Sequence, residues 1–419
     1  MGIQIDMFHV QQAYAEQGGT LTNEQLYAAV SKLSGVPADK LNAKQAIGKS
    51  GTPRSPLKRK IRWYQQTLKT MGVLERVEGE RGMWRLADKQ GKLHEAPEDV
   101  SVVAYSTDLG VAIWSSSNDL YRGLQEPIHL CITSPPYPLA VQRTYGNVAE
   151  TQWVDFITES LEPIVDKLAP GGSIVVNISN DIFRPKSPAR SLYVERMVLA
   201  LHDRLGLHLM DRWPWVNLSK PPGPTYWACV NRYQLCSGWE PIFWFTNDPG
   251  SVRADNRRVL QPHTEQHLRF LAEGNRRQAQ YGDGAYRLRG SASYANQTPG
   301  RIPKNVITRG HRCRDTQGFR SAAKELGMPS HPAMFPTEIA EFAIKYLTEE
   351  GDLVVDHFAG SNKVGLAAER LNRRWIVREK VLEYLRVQAE LFRHFSGFTI
   401  SRALVALWSR DRSMTPTIT

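Results

Sequence analysis

One strand that is forced to stop constrains this chain more than any other feature. Ile128-His129-Leu130-Cys131-Ile132 is an apolar run suited to a buried strand, and it leads directly into Thr133-Ser134-Pro135-Pro136-Tyr137-Pro138. Proline has no N–H and a fixed φ, so neither Pro135 nor Pro136 can join a central ladder. The residue before each proline is held in extended geometry. The outcome is a stiff turn at the carboxyl edge of a strand, with the Ser134 hydroxyl and the Tyr137 ring presented there. In an open α/β sheet that edge is where ligands bind. A Pro-Pro stop by itself is also a common structural device, so its meaning depends on the rest of the chain.

From residue 100 onward the pattern alternates between strand and helix. Ser101-Val102-Val103-Ala104-Tyr105-Ser106 reads as a short strand ending at Thr107-Asp108. An amphipathic helix begins at Trp153 and reaches Leu168, and Gly171-Gly172 forms the turn before a buried strand over residues 173–178. A helix follows over residues 193–205, then strands over 210–213 and 241–245. After an irregular, Arg-rich stretch, a helix over 337–347 leads to the strand Leu353-Val354-Val355-Asp356. A glycine turn, a helix over 364–371 and the strand Trp375-Ile376-Val377, ending at Glu379, complete the series. Alternation of this kind predicts an α/β fold with a mostly parallel sheet and helices on both faces.

Residues 1–95 read differently. Thr22-Asn23-Glu24-Gln25 offers an N-cap to a helix carrying Leu26, Val30 and Leu33. Gly48-Lys49-Ser50-Gly51-Thr52-Pro53 is a loop but not a phosphate-binding P-loop, because Ala43 stands where the upstream glycine belongs. Lys58-Arg59-Lys60-Ile61-Arg62 opens a basic helix, and residues 73–77 and 83–86 alternate around a glycine-containing turn as a hairpin. A basic helix followed by a hairpin resembles a winged helix, a relative of helix-turn-helix DNA readers. A purely structural or protein-binding role is the competing reading. Residues 88–100 read as a polar linker.

The distribution of charge supports this division. The chain has 419 residues, room for two or three domains, and a formal net charge of +11. Residues 1–95 hold 15 Lys and Arg against nine Asp and Glu, and residues 246–330 hold 15 against seven. The excess is therefore confined to two segments, as expected for contact with an acidic partner such as nucleic acid. Thirteen of the 15 cations in residues 246–330 are arginine, suited to phosphate and to bidentate reading of guanine. Four scattered cysteines with no CxxC fit a reduced, cytoplasmic protein and give no zinc framework. No apolar run approaches the length of a membrane span. His263 and His267 are spaced like helical metal ligands, but the rest of a metal motif is missing, so no metal is expected.

A second constellation changes the reading of the first. Asp356-His357-Phe358-Ala359-Gly360-Ser361-Asn362-Lys363 lies between a strand and a helix, where small residues let the backbone approach a ligand. Glu379 ends the next strand, where a carboxylate can accept hydrogen bonds from ribose hydroxyls. Residues 100–395 thus resemble the β-class amino-methyltransferases of DNA, and most closely the cytosine-N4 branch. In that family the Thr-Ser-Pro-Pro-Tyr motif precedes the cofactor motif, as it does here. Tyr145-Gly146, Leu168-Ala169-Pro170-Gly171-Gly172-Ser173, Trp215-Val216-Asn217-Leu218-Ser219-Lys220, Glu240-Pro241-Ile242 and His331-Pro332-Ala333-Met334-Phe335-Pro336 follow the family pattern too.

The resemblance implies a Rossmann-like sheet that binds S-adenosyl-L-methionine and acts on double-stranded DNA. It implies Ser134, Pro135, Pro136 and Tyr137 as the catalytic turn, with Tyr137 stacking on a flipped base. On the cofactor side it implies Asp356, Phe358, Ala359, Gly360, Ser361 and Asn362 in the turn and Glu379 on the ribose. His331, Phe335 and Pro336 would lie at the methionine end, and Asp108 and Thr133 near the adenine and methionine. The implied layout is a catalytic half at 100–245, a target-recognition region at 246–330, a cofactor half at 331–400 and a tail at 401–419. A restriction–modification role with a companion endonuclease and an orphan modification role both fit, in the cytoplasm at the nucleoid; oligomeric state is open. Serine at position 134 favours cytosine N4 over adenine N6, because adenine enzymes of this class usually carry Asp or Asn there. A DNA-binding regulator with an inactive methyltransferase domain is the alternative from another class. Two positions depart from the family: His357 replaces a usual proline, and Asn362-Lys363-Val364 replaces a usual Gly-Thr-Thr. Asn tolerates left-handed geometry and can keep the turn, while Lys363 is expected to face solvent or the cofactor carboxylate.

Overall fold

The computed structural model describes residues 5, 7–17, 19–47, 52–70, 74–77, 79–86, 93–96, 101–116, 118–139, 148–273, 279–280, 287–288 and 298–401. Tyr145-Gly146, Gly48-Lys49-Ser50-Gly51, most of residues 274–297 and the tail from 402 lie outside them. The chain divides into two compact units, Met1–Lys92 and Leu93–Thr419.

The first unit contains helices α1 (Met7–Glu16), α2 (Asn23–Ser34), α3 (Ala38–Asn42) and α4 (Pro56–Thr70). Its strands are β1 (Thr20–Thr22), β2 (Gln45–Ile47), β3 (Thr52–Arg54), β4 (Leu74–Arg76) and β5 (Met83–Leu86). Thr22 starts α2 with a capping box, its hydroxyl taking the Gln25 N–H while the Gln25 side chain takes the Thr22 N–H. β4 and β5 form an antiparallel hairpin that β1 extends to three strands. Val10, Tyr14, Leu26, Val30, Ile61, Leu68, Leu74 and Trp84 make its core.

The second unit is built on a ten-stranded sheet. Its elements in order are β6 (Ser101–Ser106), β7 (Gly110–Ser115), β8 (Ile128–Thr133), α5 (Glu150–Val165), β9 (Leu168–Asn177), α6 (Tyr193–Leu205), β10 (His208–Val216), β11 (Trp239–Thr246) and α7 (Glu265–Ala272). They continue with β12 (Ala279–Gln280), β13 (Arg287–Leu288), β14 (Ile307–Thr308), α8 (Arg314–Glu325), α9 (Thr337–Leu347), β15 (Leu353–Asp356), α10 (Lys363–Arg370), β16 (Arg374–Glu379), α11 (Leu382–Phe392) and β17 (Thr399–Ile400). The strand order is β14-β10-β11-β9-β8-β15-β16-β7-β6-β17. β9, β8, β15, β16 and β7 run parallel, and β11 is antiparallel beside β9. The expected α/β sheet is therefore present.

Period-2 alternation sends side chains to two cores. Leu130, Ile132 and Val354 pack beneath α9, α10 and α11, whereas Cys131 and Val355 pack beneath α5 and α6. Trp153 is fully buried on α5 and its indole N–H donates to the Pro136 carbonyl at 2.6 Å, tying that helix to the Pro-Pro turn. Truncating such a residue costs about 3–5 kcal/mol. The sheet departs from expectation at Gly171-Gly172, where β9 runs on instead of turning. Gly171 has φ +70°, and a Cβ there would stand 1.8 Å from the Ser251 carbonyl oxygen, so only glycine fits. β7 occupies residues 110–115, where no strand is expected, and α7 and α8 order much of the stretch expected to be irregular. Among the described residues no helix is long and apolar enough to cross a membrane.

Candidate active site

Four parallel strand ends open into one cleft of about 580 Å³. β8 delivers Ser134, Pro135, Pro136 and Tyr137; β15 delivers His357, Phe358, Ala359, Gly360 and Ser361. β16 delivers Glu379 and Lys380, and β7 delivers Ser116 and Asn118. β8 and β15 are neighbours whose following helices, α5 and α10, cover opposite faces of the sheet. Their connections leave in opposite directions, and a crevice opens between them.

On one side of the cleft the Ser134 and Tyr137 hydroxyls lie 2.9 Å apart, and the Asn177 amide oxygen lies 3.5 Å from the first and 3.4 Å from the second. The Ser134 proton thus has acceptors within the protein, which leaves an oxygen lone pair toward the cleft. The Pro136 carbonyl is taken by Trp153, whereas the Pro135 carbonyl receives no hydrogen bond among the described residues. Glu240 lines the same side, half-paired with Lys220 at 3.2 Å, and burial pushes its carboxyl upward. Trp215 and His311 stack in parallel at 6.0 Å beside it.

On the other side the glycine turn is tied from behind. Asn362 adopts φ +52° and caps α10, its amide oxygen accepting the Gly365 N–H at 2.9 Å. Its amide nitrogen donates to the Tyr105 hydroxyl (2.7 Å), which donates to Gln388 (3.0 Å), whose amide in turn donates to the Gly360 carbonyl (2.7 Å). Gly360 has φ +53°, and a Cβ there would press on the His331 ring at 3.0 Å. The Glu379 carboxylate accepts the Gly360 N–H at 2.7 Å and the Val381 N–H at 2.8 Å. Burial raises its pKa to about 7. His357 is fully buried and kept neutral by burial, and its Nε2 lies 3.0 Å from the Asn118 amide oxygen. The Arg378 guanidinium donates to the carbonyls of His357 and Ser116, bracing both loops.

The cleft brings together Ser134, Pro135, Pro136, Tyr137, His331, Phe335, Phe358, Ala359, Gly360, Ser361 and Glu379. Thr133, Asp356, Asn362 and Pro336 stand behind its wall. Thr133 donates to the Asp356 carboxylate at 2.8 Å, and burial pushes that carboxyl to about 7; Pro336 is the N-cap of α9. Asp108 is a correction. It lies before Gly110, at the amino-terminal edge of the sheet, because β7 runs parallel to β16 and only Trp114 reaches Glu379. Its exposed carboxylate accepts the Ser396 hydroxyl instead. The linker expectation also fails at residues 93–96. Glu95 bridges to Val381, Ala96 donates to the Lys380 carbonyl at 2.8 Å, and both line the cleft. The solvent alternative for Lys363 is overturned too, since its side chain is buried in the cleft wall. Sequence reasoning missed Ser116, Asn118, Asn177 and His311, and marked Glu240 only as part of a family segment, not as a site residue; a second apolar run at 110–115 after the Asp108-Leu109-Gly110 turn was the available signal for the first two. His263 and His267 lie side by side at 4.7 Å, with His263 taken by Thr298.

The sequence profile described as DNA methylase matches residues 128–390. The type II methyltransferase M.PvuII of Proteus hauseri is 30% identical over 311 residues, 73% of this chain and 90% of that protein. M.HpaI of Haemophilus parainfluenzae is 23% identical over 298 residues, 68% of this chain and 75% of that protein. A solved structure described as PvuII DNA methyltransferase (cytosine-N4-specific) superposes with a TM-score of 0.55 at 28% identity, covering 73% of this chain and 93% of that one. With the strand-end cleft and the two turns that form it, these likenesses settle the kinship: the chain belongs to the DNA methylase family.

Proposed function

We propose that this methyltransferase is site-specific, draws its methyl group from S-adenosyl-L-methionine, and methylates the exocyclic N4 amine of a cytosine flipped out of duplex DNA. The observation that carries the reading is the pairing, in one cleft, of the Ser134 hydroxyl and open Pro135 carbonyl with the Gly360–Glu379 turn. The residues present fit that cofactor: a buried carboxylate at Glu379 keeps lone pairs for ribose hydroxyls after accepting two backbone N–H groups. Gly360 is left-handed, and a side chain there would press on His331, which lines the same cleft. When bound, the cofactor supplies an activated methyl group on a sulfonium, so the protein needs no metal and no covalent nucleophile.

The chemistry asked of the chain is orientation and hydrogen-bond acceptance. The lone pair of a cytosine amine is delocalised into the ring, which makes it a poor nucleophile. Ser134 and the Pro135 carbonyl accept its two N–H groups and draw the nitrogen toward tetrahedral geometry. Both acceptors are preorganised, one by Tyr137 and Asn177 and the other by the Pro-Pro backbone. Tyr137 holds the flipped base by stacking, worth roughly 1–3 kcal/mol. Holding amine and methyl donor in line is worth about 7–11 kcal/mol.

In this reading the Arg-rich residues 246–330 recognise the target sequence and the winged-helix-like residues 1–95 add DNA affinity. The role is modification, alone or beside a restriction endonuclease, at the nucleoid. Expression in a methylation-free bacterial host with genome-wide mapping of modified bases tests it. N4-methylcytosine within one recurrent sequence is expected. N6-methyladenine at that sequence, or no modification, overturns the assignment. DNA binding without measurable S-adenosylmethionine affinity would mark an inactive regulator.

A further inference from the structure

Lys363 opens helix α10, and its side chain is only 2% exposed. It forms part of the cleft wall together with Ser361, Met334 and Phe335. Its Nζ finds no hydrogen-bond partner among the described residues. Burying an ammonium without a partner is costly. The position adds a second cost, because the peptide dipoles of a helix favour negative charge at its N-terminus. A cation disfavoured on both counts points to an anion that completes the site.

The neighbouring acids do not complete it. Cys313, Asp315 and Glu338 face Lys363 and favour its charged form, while Arg370 opposes it. Both Asp315 oxygens are committed to Arg370, at 2.7 and 2.8 Å. The Cys313 thiol lies 3.2 Å from the Thr316 hydroxyl and 3.8 Å from that of Thr337. Glu338 keeps its own buried oxygen unpartnered rather than reaching Lys363. No carboxylate among the described residues stands within ion-pairing distance of Nζ.

We infer that Lys363 binds the α-carboxylate of the cofactor's methionine moiety through a charge-assisted hydrogen bond from Nζ. This rests on S-adenosylmethionine being the cofactor. That molecule carries one anionic group and two cationic ones, the α-ammonium and the sulfonium. A fixed ammonium attracts the first and repels the others, so Lys363 sets the direction in which the cofactor lies. Its carboxylate end is held at the start of α10 and its ribose at Glu379. The buried amine of the ligand-free chain has a pKa lowered to about 8, chiefly by burial. As pH rises through that value the free amine loses its proton, and affinity for the carboxylate falls.

Calorimetry on the full chain tests this with S-adenosylhomocysteine and 5′-methylthioadenosine, which share the 5′-thioadenosine part, while only the first carries the amino-carboxypropyl chain with its carboxylate. K363M is expected to weaken S-adenosylhomocysteine about 10- to 100-fold while leaving methylthioadenosine unchanged. K363R is expected to retain most of the affinity. Unchanged S-adenosylhomocysteine binding, or equal loss of both ligands, overturns the inference while the proposed function stands. Should K363M fail to fold, the pH dependence decides. Wild-type affinity for S-adenosylhomocysteine should drop above about pH 8 more steeply than that of K363R, and equal slopes overturn the inference. A wild-type chain that binds neither ligand overturns the cofactor reading itself.

Discussion

The two walls of the cleft are built to different rules. On the β15–β16 side the polar groups of the turn are tied into the protein: Gly360 through both its N–H and its carbonyl, Asn362 through both ends of its amide, and Glu379 through both oxygens. On the β8 side the contacts among Ser134, Tyr137 and Asn177 run from 2.9 to 3.5 Å, and the Pro135 carbonyl receives no hydrogen bond among the described residues. Beyond it, residues 218–239 expose Leu218, Tyr226, Val230, Tyr233 and Leu235. In the proposed reading the first wall meets the same cofactor at every turnover, and its turn is finished in advance except at Lys363, whose Nζ has no partner among the described residues. In that reading the second must admit a base and release it, and its Pro135 carbonyl, unpartnered among the described residues, waits for the substrate.

The widest test of this division is S134A, which should lower kcat about 10²- to 10³-fold by removing a preorganised acceptor, with cofactor affinity unchanged in calorimetry. E379Q should do the reverse and weaken cofactor binding about tenfold, with kcat at saturating cofactor near wild type. If either variant moved both quantities together, the walls would not be separable. The buried carboxyls sharpen the same contrast through pH. Asp356 and Glu379 are each raised to about 7 by burial. The folded chain therefore keeps their protons where the unfolded chain has released them. Stability of the ligand-free protein should fall as pH rises from the ordinary carboxylate range to about 7, read as Tm by calorimetry. D356N and E379Q should each flatten that fall, and a Tm that climbs through this window in the wild type but not in the variants would reverse the sign. The smallest effect is expected outside both walls. Deleting residues 1–92 should weaken DNA binding and lower its salt slope by about 0.9 for each phosphate that those residues neutralise, without changing the base that is methylated.

The β15–β16 wall was the more legible in the sequence, because its constraints are local. A strand, a left-handed turn and a helix start are encoded within Asp356 to Val364, and Asn362 carries its own explanation for φ +52°. The Ser134 turn was legible for the same reason, since two prolines can do little else. What sequence could not show was long-range. Asn177 reaches Ser134 from the end of β9, and Glu240 arrives from β11. Asp108 looked like a strand-end acid, and only the parallel register of β7 against β16 reveals that it sits at the wrong edge. Residues 93–96 carry no periodicity that separates a linker from a cleft wall. Their fate is set by hydrogen bonds to Lys380 and Glu383, close in space and nearly 290 positions away in sequence.

The hydrogen-bonded series Asn362–Tyr105–Gln388–Gly360 also bears on how this chain can change over time. Replacing Asn362 with glycine would spare the backbone but remove the helix cap and the donor to the buried Tyr105 hydroxyl in one step. Replacing Gln388 first would strand that hydroxyl and the Gly360 carbonyl together. Each single substitution leaves a buried polar group without its partner, at a cost of about 1–3 kcal/mol. Tyr105, Asn362 and Gln388, scattered over almost the whole domain, are therefore coupled in stability, and a chain carrying this turn is expected to keep all three or lose them as a set.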